Sequence, residues 1–212
     1  MNYEHIIWDW NGTVIDDARL CVQILNDELL KRGLPVIDFK YYQENFSFPV
    51  NLFYKKIGLP SMGNRYDELN LIFITKYKEN YRFCNLHTNV QFVLNKLTNL
   101  GVEQSVLSAG KETDITEFVE YFRLLHCFST VSGVRNIRAS GKKEISEYHR
   151  QMIRCSTDKI LLVGDTVHDL EIADHLGIDC ILFSNGHNSH DVLLAKTSRV
   201  INSYEKLLQF IS

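Results

Sequence analysis

The chain has 212 residues, 45% of them hydrophobic and 23% charged, which is typical of a globular protein with one large domain or a core and a smaller domain. The net charge is −3 and basic residues are dispersed, so we expect no nucleic-acid partner and no anionic-membrane partner. No apolar run approaches the roughly 18 residues of a membrane-spanning helix. The first residues show no signal-peptide pattern.

The cysteines are odd in number and scattered along the chain, at Cys21, Cys84, Cys127, Cys155 and Cys180. None forms a CxxC pair, so the spacing predicts neither a zinc knuckle nor a disulfide framework. Most lie in apolar runs and are predicted to be small core residues of a reduced, cytoplasmic protein.

The first predicted element is a buried strand over residues 5–8, which ends at Asp9 and enters a tight turn through residues 11–13. From about residue 17 to residue 84, apolar side chains recur at helical spacing, and strand-like alternation is absent. This pattern predicts a small all-helical module inserted after the first strand.

From residue 85 onward, predicted strands and helices alternate. The strands are predicted at 102–107, 127–131, 160–163, 179–183 and 198–201, and the helices at 90–100, 112–125, 143–154, 168–176, 190–195 and 204–211. Apolar strands that alternate with helices indicate a parallel sheet covered on both faces. We therefore predict an α/β fold, a doubly wound, Rossmann-like parallel sheet with an inserted all-helical cap. Residues 1–16 and 85–212 would form the core, and residues 17–84 the cap.

Three predicted strands end in polar residues that suit one binding site, namely Asp9, Ser108 and Asp165. In open α/β sheets, ligands bind beyond the carboxyl ends of the strands, where such side chains share a crevice. A single Asp after a strand is most often a turn residue. Three such ends, with Asp169 four residues after Asp165, indicate a functional site.

The segment IIWDWNGTVIDD resembles the first motif of the haloacid dehalogenase superfamily of phosphohydrolases, DxDGT after an apolar strand. LLVGDTVHD is similar to the fourth motif, GDxxxD, and VEQSVLSAG to the second, a strand that ends in Ser or Thr. The order of the motifs and the helical insert between the first two resemble phosphoglycolate-phosphatase-like members. The resemblance extends across the whole chain.

The resemblance implies a Mg2+-dependent phosphatase that acts on a small soluble phosphate. Asp9 would be the nucleophile and would form an aspartyl-phosphate. Asp9 and Asp165 would bind Mg2+, with the backbone carbonyl of Asn11 as a third ligand. Asp169 would hold waters on the metal or orient Lys142.

Side chains and backbone N–H groups would bind the phosphoryl oxygens, and the resemblance assigns this role to Gly12, Thr13, Ser108, Ala109 and Lys142. The lysine of the third motif is ambiguous between Lys142 and Lys143, and we favour Lys142 because it follows Gly141 directly. Taken without the motif, both lysines would more simply be the solvated first turn of a helix.

The chain departs from the motif at Asn11, where these phosphatases usually carry an Asp that protonates the leaving group. An amide cannot do this general acid–base work, which is typically worth about 10²–10⁴-fold in rate. The substrate would then be an acyl phosphate or anhydride, or another group such as His168, His187 or a cap residue would supply the proton. Alternatively, the protein has lost turnover and binds a phosphorylated ligand in a regulatory role.

Other residues near the predicted crevice have simpler structural interpretations. His168 and His187 lie on predicted loops, where a structural or solvent-facing histidine is more common than a substrate contact. Trp8 and Trp10 are expected to pack or to shield the site. The aromatic stretch at residues 46–49 is a candidate substrate contact in the cap, although rings such as Phe46 and Phe48 are more often part of a cap core. No pattern in the sequence predicts an oligomeric state.

Overall fold

The computed structural model describes residues 2–134 and 141–211. The strands are β1 (His5–Trp8), β2 (Ile15–Asp16), β3 (Asn85–Leu86), β4 (Glu103–Lys111), β5 (Thr130–Val134), β6 (Ile160–Gly164), β7 (Asp179–Phe183) and β8 (Val200–Ile201). The α-helices are α1 (Ala18–Lys31), α2 (Phe39–Asn45), α3 (Val50–Lys56), α4 (Gly63–Asn80), α5 (Val90–Asn99), α6 (Glu112–Tyr121), α7 (Gly141–Met152), α8 (Val167–Leu176), α9 (His190–Leu194) and α10 (Tyr204–Ile211). Within this described part, no helix combines the length and apolar character needed to cross a bilayer.

Six parallel strands form one sheet in the order β5-β4-β1-β6-β7-β8. The first strand of the chain lies between β4 and β6, and Trp8 pairs with both Val106 and Val163. The carboxyl ends of these three strands therefore lie side by side. The predicted doubly wound parallel sheet is confirmed, and the first strand joins it at a central place that the sequence did not predict.

Side chains of the sheet are buried on both of its faces, which explains why its strands are continuous apolar runs. Along β6, Leu161 and Val163 belong to one buried cluster, which also contains Trp8. Ile160 and Leu162 belong to a second cluster on the opposite face. Because successive side chains of a strand point to opposite faces, both must be apolar when helices cover both.

Two element boundaries near the site differ from those predicted. The helix predicted at 112–125 ends at Tyr121 because Arg123 has a left-handed backbone (φ 59°), so the strand predicted at 127–131 begins only at Thr130. The strand predicted to end before Ser108 continues to Lys111, with a shift of register between Leu107 and Lys111. Periodicity did not predict the extension of β4, because residues 108–111 break the apolar pattern of the strand.

Helices α1 to α4 lie between β2 and β3, two short strands that pair antiparallel, with Ile15 opposite Leu86. This ribbon, absent from the sequence prediction, joins the chain where it enters and leaves the helical insert. Side chains of the insert such as Leu25 and Phe53 belong to the same buried cluster as Trp8 of the sheet. The division into a core and a cap at 16/17 and 84/85 stays a prediction.

Candidate active site

Three carboxylates meet at the carboxyl edge of the sheet. Asp9 directly follows β1, Asp165 directly follows β6, and Asp169 lies in the first turn of α8. One oxygen of each lies within 4.8 Å of the others, and all three side chains are buried. The alignment of β1 with β6 brings them together, since Trp8 and Val163 are paired.

Lys142, in the first turn of α7, reaches into this cluster. Its Nζ donates to Oδ1 of Asp9 at 2.6 Å and to Oδ1 of Asp169 at 2.5 Å. The side chain of Lys142 is buried, whereas Lys143 is exposed. Of the two candidate lysines, only Lys142 contacts the carboxylates.

Asp169 is oriented by the start of its own helix. Thr166 and Asp169 form a reciprocal capping box, in which Oδ2 of Asp169 accepts from the backbone N–H of Thr166 at 3.0 Å and from its hydroxyl at 2.7 Å. Burial opposes ionisation, but the Lys142 ammonium and these hydrogen bonds leave the pKa of Asp169 below its ordinary value. The T-x-x-D spacing is typical of a capping box and could have identified Thr166 from the sequence, but it was not among the predicted site residues.

Asp165 is held by three segments that approach it closely. The Thr13 hydroxyl donates to its Oδ1 at 2.8 Å, and the backbone N–H of His187 donates to its Oδ2 at 2.6 Å. A Cβ atom at Gly12 would lie 2.3 Å from Oδ2, and one at Gly186 would lie 2.2 Å from it. Gly12 also has φ +70°, so it combines a left-handed backbone with close approach to a carboxylate.

The cluster carries more negative charge than its lysine can neutralise. Burial, followed by repulsion from neighbouring carboxylates, raises the pKa of Asp9 to about 8 although Lys142 opposes the rise. Burial and Asp169 likewise raise the pKa of Asp165 to about 6. Clustered, buried oxygen ligands with uncompensated charge fit a hard divalent cation.

Among the predicted phosphoryl-binding residues, Thr13 and Lys142 contact the carboxylates, and several groups of the set are already engaged. Ser108 is buried at the register shift of β4, where its Oγ accepts from the backbone N–H of Gly110 at 3.1 Å. Ala109 next to it is half-buried. In the turn after Asp9, the N–H of Gly12 donates to Oδ1 of Asp17 at 2.8 Å, and that of Thr13 to a backbone carbonyl at 3.3 Å. The role of these N–H groups toward phosphate stays a prediction.

The side chain of Asn11 is bound to two polar residues at the helical insert. Its Nδ2 donates to Oδ2 of Asp17 at 2.6 Å and to the hydroxyl of Tyr77 at 2.8 Å. Tyr77 in turn donates to the same Asp17 oxygen at 2.6 Å. Asp17 was visible in the sequence only as the second Asp of a doublet, and nothing in the sequence marked Tyr77.

The aromatic stretch of the insert packs both against other aromatic rings of the insert and against the sheet domain. Phe48 stacks on His168 with ring centroids 5.0 Å apart, and Phe46 lies 5.3 Å from the ring of His187. His168 lies in the first turn of α8, which corrects its predicted place on a loop. His187 is buried, and both Trp8 and Trp10 are fully buried.

Known proteins resemble the chain over most of its length. A family model for "haloacid dehalogenase-like hydrolase" matches residues 6–183. The tyrosine-protein kinase PtkA of Mycobacterium tuberculosis is 23% identical over 198 residues, which cover 92% of this chain and 67% of that protein. A phosphoglycolate phosphatase of Pseudomonas syringae is 19% identical over 215 residues, which cover 96% of this chain and 78% of that protein.

Solved structures share the fold. A "predicted phosphatase" from Clostridium acetobutylicum has a TM-score of 0.85 at 19% identity, with 100% of this chain and 99% of that one covered. The structure of M. tuberculosis PtkA has a TM-score of 0.82 at 20% identity, with coverage of 100% and 99%. The resemblance read from the sequence motifs is confirmed, and the phosphatases among the relatives support the predicted enzyme class. The chain belongs to the haloacid dehalogenase-like hydrolase family.

Proposed function

We propose that this protein is a Mg2+-dependent phosphatase that hydrolyses a small phosphorylated metabolite through an aspartyl-phosphate on Asp9. The observation that carries the proposal is the convergence of Asp9, Asp165 and Asp169 with Lys142 at the carboxyl edge of the sheet. The relatives add support, because the names phosphatase and kinase both describe transfer of a phosphoryl group.

Asp9 and Asp165 would hold the metal, with the backbone carbonyl of Asn11 as a further oxygen ligand. The residues fit such an ion, since the buried carboxylates carry negative charge that Lys142 only partly offsets. Bound Mg2+ would neutralise charge between the nucleophile and the phosphoryl group. Asp169 would act mainly through Lys142, because its own oxygens are used by the ammonium and by Thr166.

In the first step, a carboxylate oxygen of Asp9 attacks phosphorus, and the bond from phosphorus to the leaving oxygen breaks with its electron pair on that oxygen. Lys142 binds Oδ1 of Asp9, which leaves Oδ2 free to attack. Lys142, Ser108 and Ala109 would bind the phosphoryl oxygens as charge shifts onto them. Water then attacks phosphorus of the aspartyl-phosphate, which releases phosphate and restores the Asp9 carboxylate.

Asn11 limits which leaving groups this site can expel. Its amide donates to Asp17 and Tyr77 and has no proton to give to a leaving oxygen at an accessible pKa. Substrates whose leaving group needs little protonation, such as acyl phosphates, should therefore react best. The same observation favours the second candidate, a phospholigand-binding protein on this scaffold that turns over slowly or not at all.

The test measures phosphate release from acetyl phosphate, p-nitrophenyl phosphate and 2-phosphoglycolate, with Mg2+ and with EDTA. Wild type should hydrolyse acetyl phosphate fastest, and EDTA or Asp9→Asn should abolish this activity. Asp16→Asn is the matched control, because Asp16 is an exposed carboxylate in the same segment. Asn11→Asp should raise turnover of the alkyl ester 2-phosphoglycolate by about 10²-fold or more.

The outcomes separate the two candidates. Activity that persists in EDTA or in Asp9→Asn would contradict the phosphatase mechanism. Activity that appears only in Asn11→Asp, together with binding of acetyl phosphate by wild type, would favour the phospholigand-binding protein. Equal turnover of the alkyl ester by wild type and Asn11→Asp would show that another group protonates the leaving oxygen.

A further inference from the structure

We propose that Asp17, Cys21 and His187 form a second metal site, for a divalent cation such as Zn2+ that prefers sulfur and nitrogen ligands. Their ligating atoms lie within 4.8 Å of one another. All three side chains are buried, with exposures of 0%, 6% and 6%. The site shares no residue with the carboxylate cluster.

The local structure explains how the three side chains meet. Asp17 is the N-cap of α1 and Cys21 follows one turn later, so both lie on the same face of that helix. His187 lies in the segment after β7, and the backbone N–H of His187 donates to Asp165. Two ligands therefore belong to the helical insert and one to the sheet domain, and a bound ion would join the two.

The spacing suits tetrahedral coordination. Oδ1 of Asp17 lies 3.5 Å from Nε2 of His187. Two ligands at the usual zinc distances of about 2.0–2.1 Å would lie roughly 3.3 Å apart at a tetrahedral angle. Small movements would thus bring these atoms onto one ion, with the Cys21 thiolate as third ligand and the fourth position left for water.

Neighbouring hydroxyl and amide groups already orient two of the ligands. Nδ1 of His187 is hydrogen-bonded to the hydroxyl of Tyr42 at 2.8 Å, which leaves Nε2 to face Asp17. Oδ2 of Asp17 accepts from Asn11 and Tyr77, so its Oδ1 faces His187. Protein metal sites commonly fix their ligands by such outer hydrogen bonds.

Ligand chemistry separates the two sites. A thiolate and an imidazole are suited to Zn2+ or Co2+, whereas Mg2+ prefers carboxylate, carbonyl and water oxygens. Excess Mg2+ should therefore occupy the carboxylate cluster and leave the Asp17–Cys21–His187 site for the softer ion. Co2+ is the useful probe because a cobalt–thiolate bond gives a charge-transfer band in the near ultraviolet.

The experiment titrates Co2+ into metal-free protein in excess Mg2+ and records the absorption spectrum. Wild type should develop the thiolate band, and Zn2+ should remove it. Cys21→Ser should abolish the band and His187→Gln should weaken Co2+ binding at least tenfold. Cys127→Ser is the matched control, since Cys127 is also buried and its Sγ lies 3.4 Å from Nε2 of His126.

A wild-type protein without the band at saturating Co2+ would overturn the proposal, as would a band that survives in Cys21→Ser or is lost in Cys127→Ser. Circular dichroism shows whether each variant is folded. Anomalous diffraction from Zn2+-soaked wild-type crystals tests the site without any substitution, and a peak between Asp17, Cys21 and His187 is expected. A zinc peak elsewhere, with none between these residues, would refute it.

Discussion

At the scale of single residues, Lys142 links Asp9, the proposed nucleophile, to Asp169. Its ammonium is buried between Asp9 and Asp169, and these two carboxylates outweigh its burial and raise its pKa above the ordinary value. It therefore stays charged at neutral pH. Its neighbour Lys143 is exposed and serves as an internal comparison.

Lys142→Met keeps the side-chain bulk but removes the charge. We expect kcat/KM for acetyl phosphate to fall at least ~100-fold, because phosphoryl charge loses a buried cation. Unfolding free energy without Mg2+ should fall by about 3 kcal/mol, near the lower end for a broken buried ion pair, because Asp9 can take up a proton. Lys143→Met should match wild type in both steady-state kinetics and urea unfolding. Equal kinetics for the two variants would contradict the role of Lys142.

The candidate site could be predicted from sequence wherever a residue carries its own local signal. Asp9 and Asp165 follow apolar strands, and Asn11 is a single substitution within an otherwise recognisable motif. The partners of Asn11 are a different matter, because Tyr77 lies 66 residues away and sits in a helix without a distinguishing pattern. The sequence already favoured Lys142 over Lys143, and the contacts of Lys142 with Asp9 and Asp169 agree with that preference.

At the scale of elements, a buried chain of hydrogen bonds fixes α7, the helix that carries Lys142, on the sheet. His149 of α7 contacts the hydroxyls of Ser105 at 2.8 Å and Ser132 at 2.7 Å, and Ser105 contacts His5 at 2.7 Å. His5 Nδ1 faces the Glu103 carboxylate at 3.4 Å and must carry a proton to be attracted to it. His149 thus connects α7 to Ser105 of β4 and Ser132 of β5, and Ser105 extends the network to His5 of β1.

The burial of His149 in this hydrogen-bond network predicts that the folded protein loses stability in acid. Burial, reinforced by the charge of His5, lowers the pKa of His149 to about 4 from its ordinary value of 6.5. Between pH 4 and pH 6.5, His149 binds a proton in the unfolded protein but not in the folded protein. The stability that neutral His149 contributes is therefore fully present above pH 6.5 and is lost as the pH falls toward 4. The expected loss is about 3 kcal/mol for a shift of this size.

Urea unfolding at a series of pH values measures this effect. Wild type should lose about 3 kcal/mol more than His149→Gln as the pH falls through this range, because glutamine does not titrate. His126→Gln is the control, since His126 is exposed and bonded to Asn95. Parallel pH profiles for wild type and His149→Gln would contradict the assignment.

At the scale of the whole molecule, the helical insert is docked on the sheet domain by the segment after β7. The side chain of Asn188 is buried between the two, where its Nδ2 donates to the carbonyl of Phe46 at 2.9 Å and its Oδ1 accepts from the N–H of Val167 at 3.0 Å. The N–H of Ser189 donates to the carbonyl of Gln43 at 3.0 Å. Hydrogen bonds from Asn188 and Ser189 to backbone carbonyls of the insert thus hold the insert at the site.

Asn188→Ala should loosen this contact. Two partly buried backbone groups, the carbonyl of Phe46 and the N–H of Val167, would lose their partner, at a cost of about 1 kcal/mol in unfolding free energy. Hydrogen exchange at residues 39–56 should accelerate more than exchange in the sheet, because the damage is confined to the docked surface. Asn185→Ala is the matched control, since Asn185 is exposed and bonds only a nearby carbonyl. Uniform acceleration across the chain would instead indicate general destabilisation.

The order of strands and helices, the candidate nucleophile and the family could be predicted from the sequence, because periodicity indicates which faces are buried and short motifs keep candidate site residues close in the chain. The tertiary structure alone decided what binds Asn11 and how Cys21 and His187 come together. Each of these depends on distances between residues remote in sequence. Such distances arise from strand register and from the docking of the insert, which no local pattern encodes.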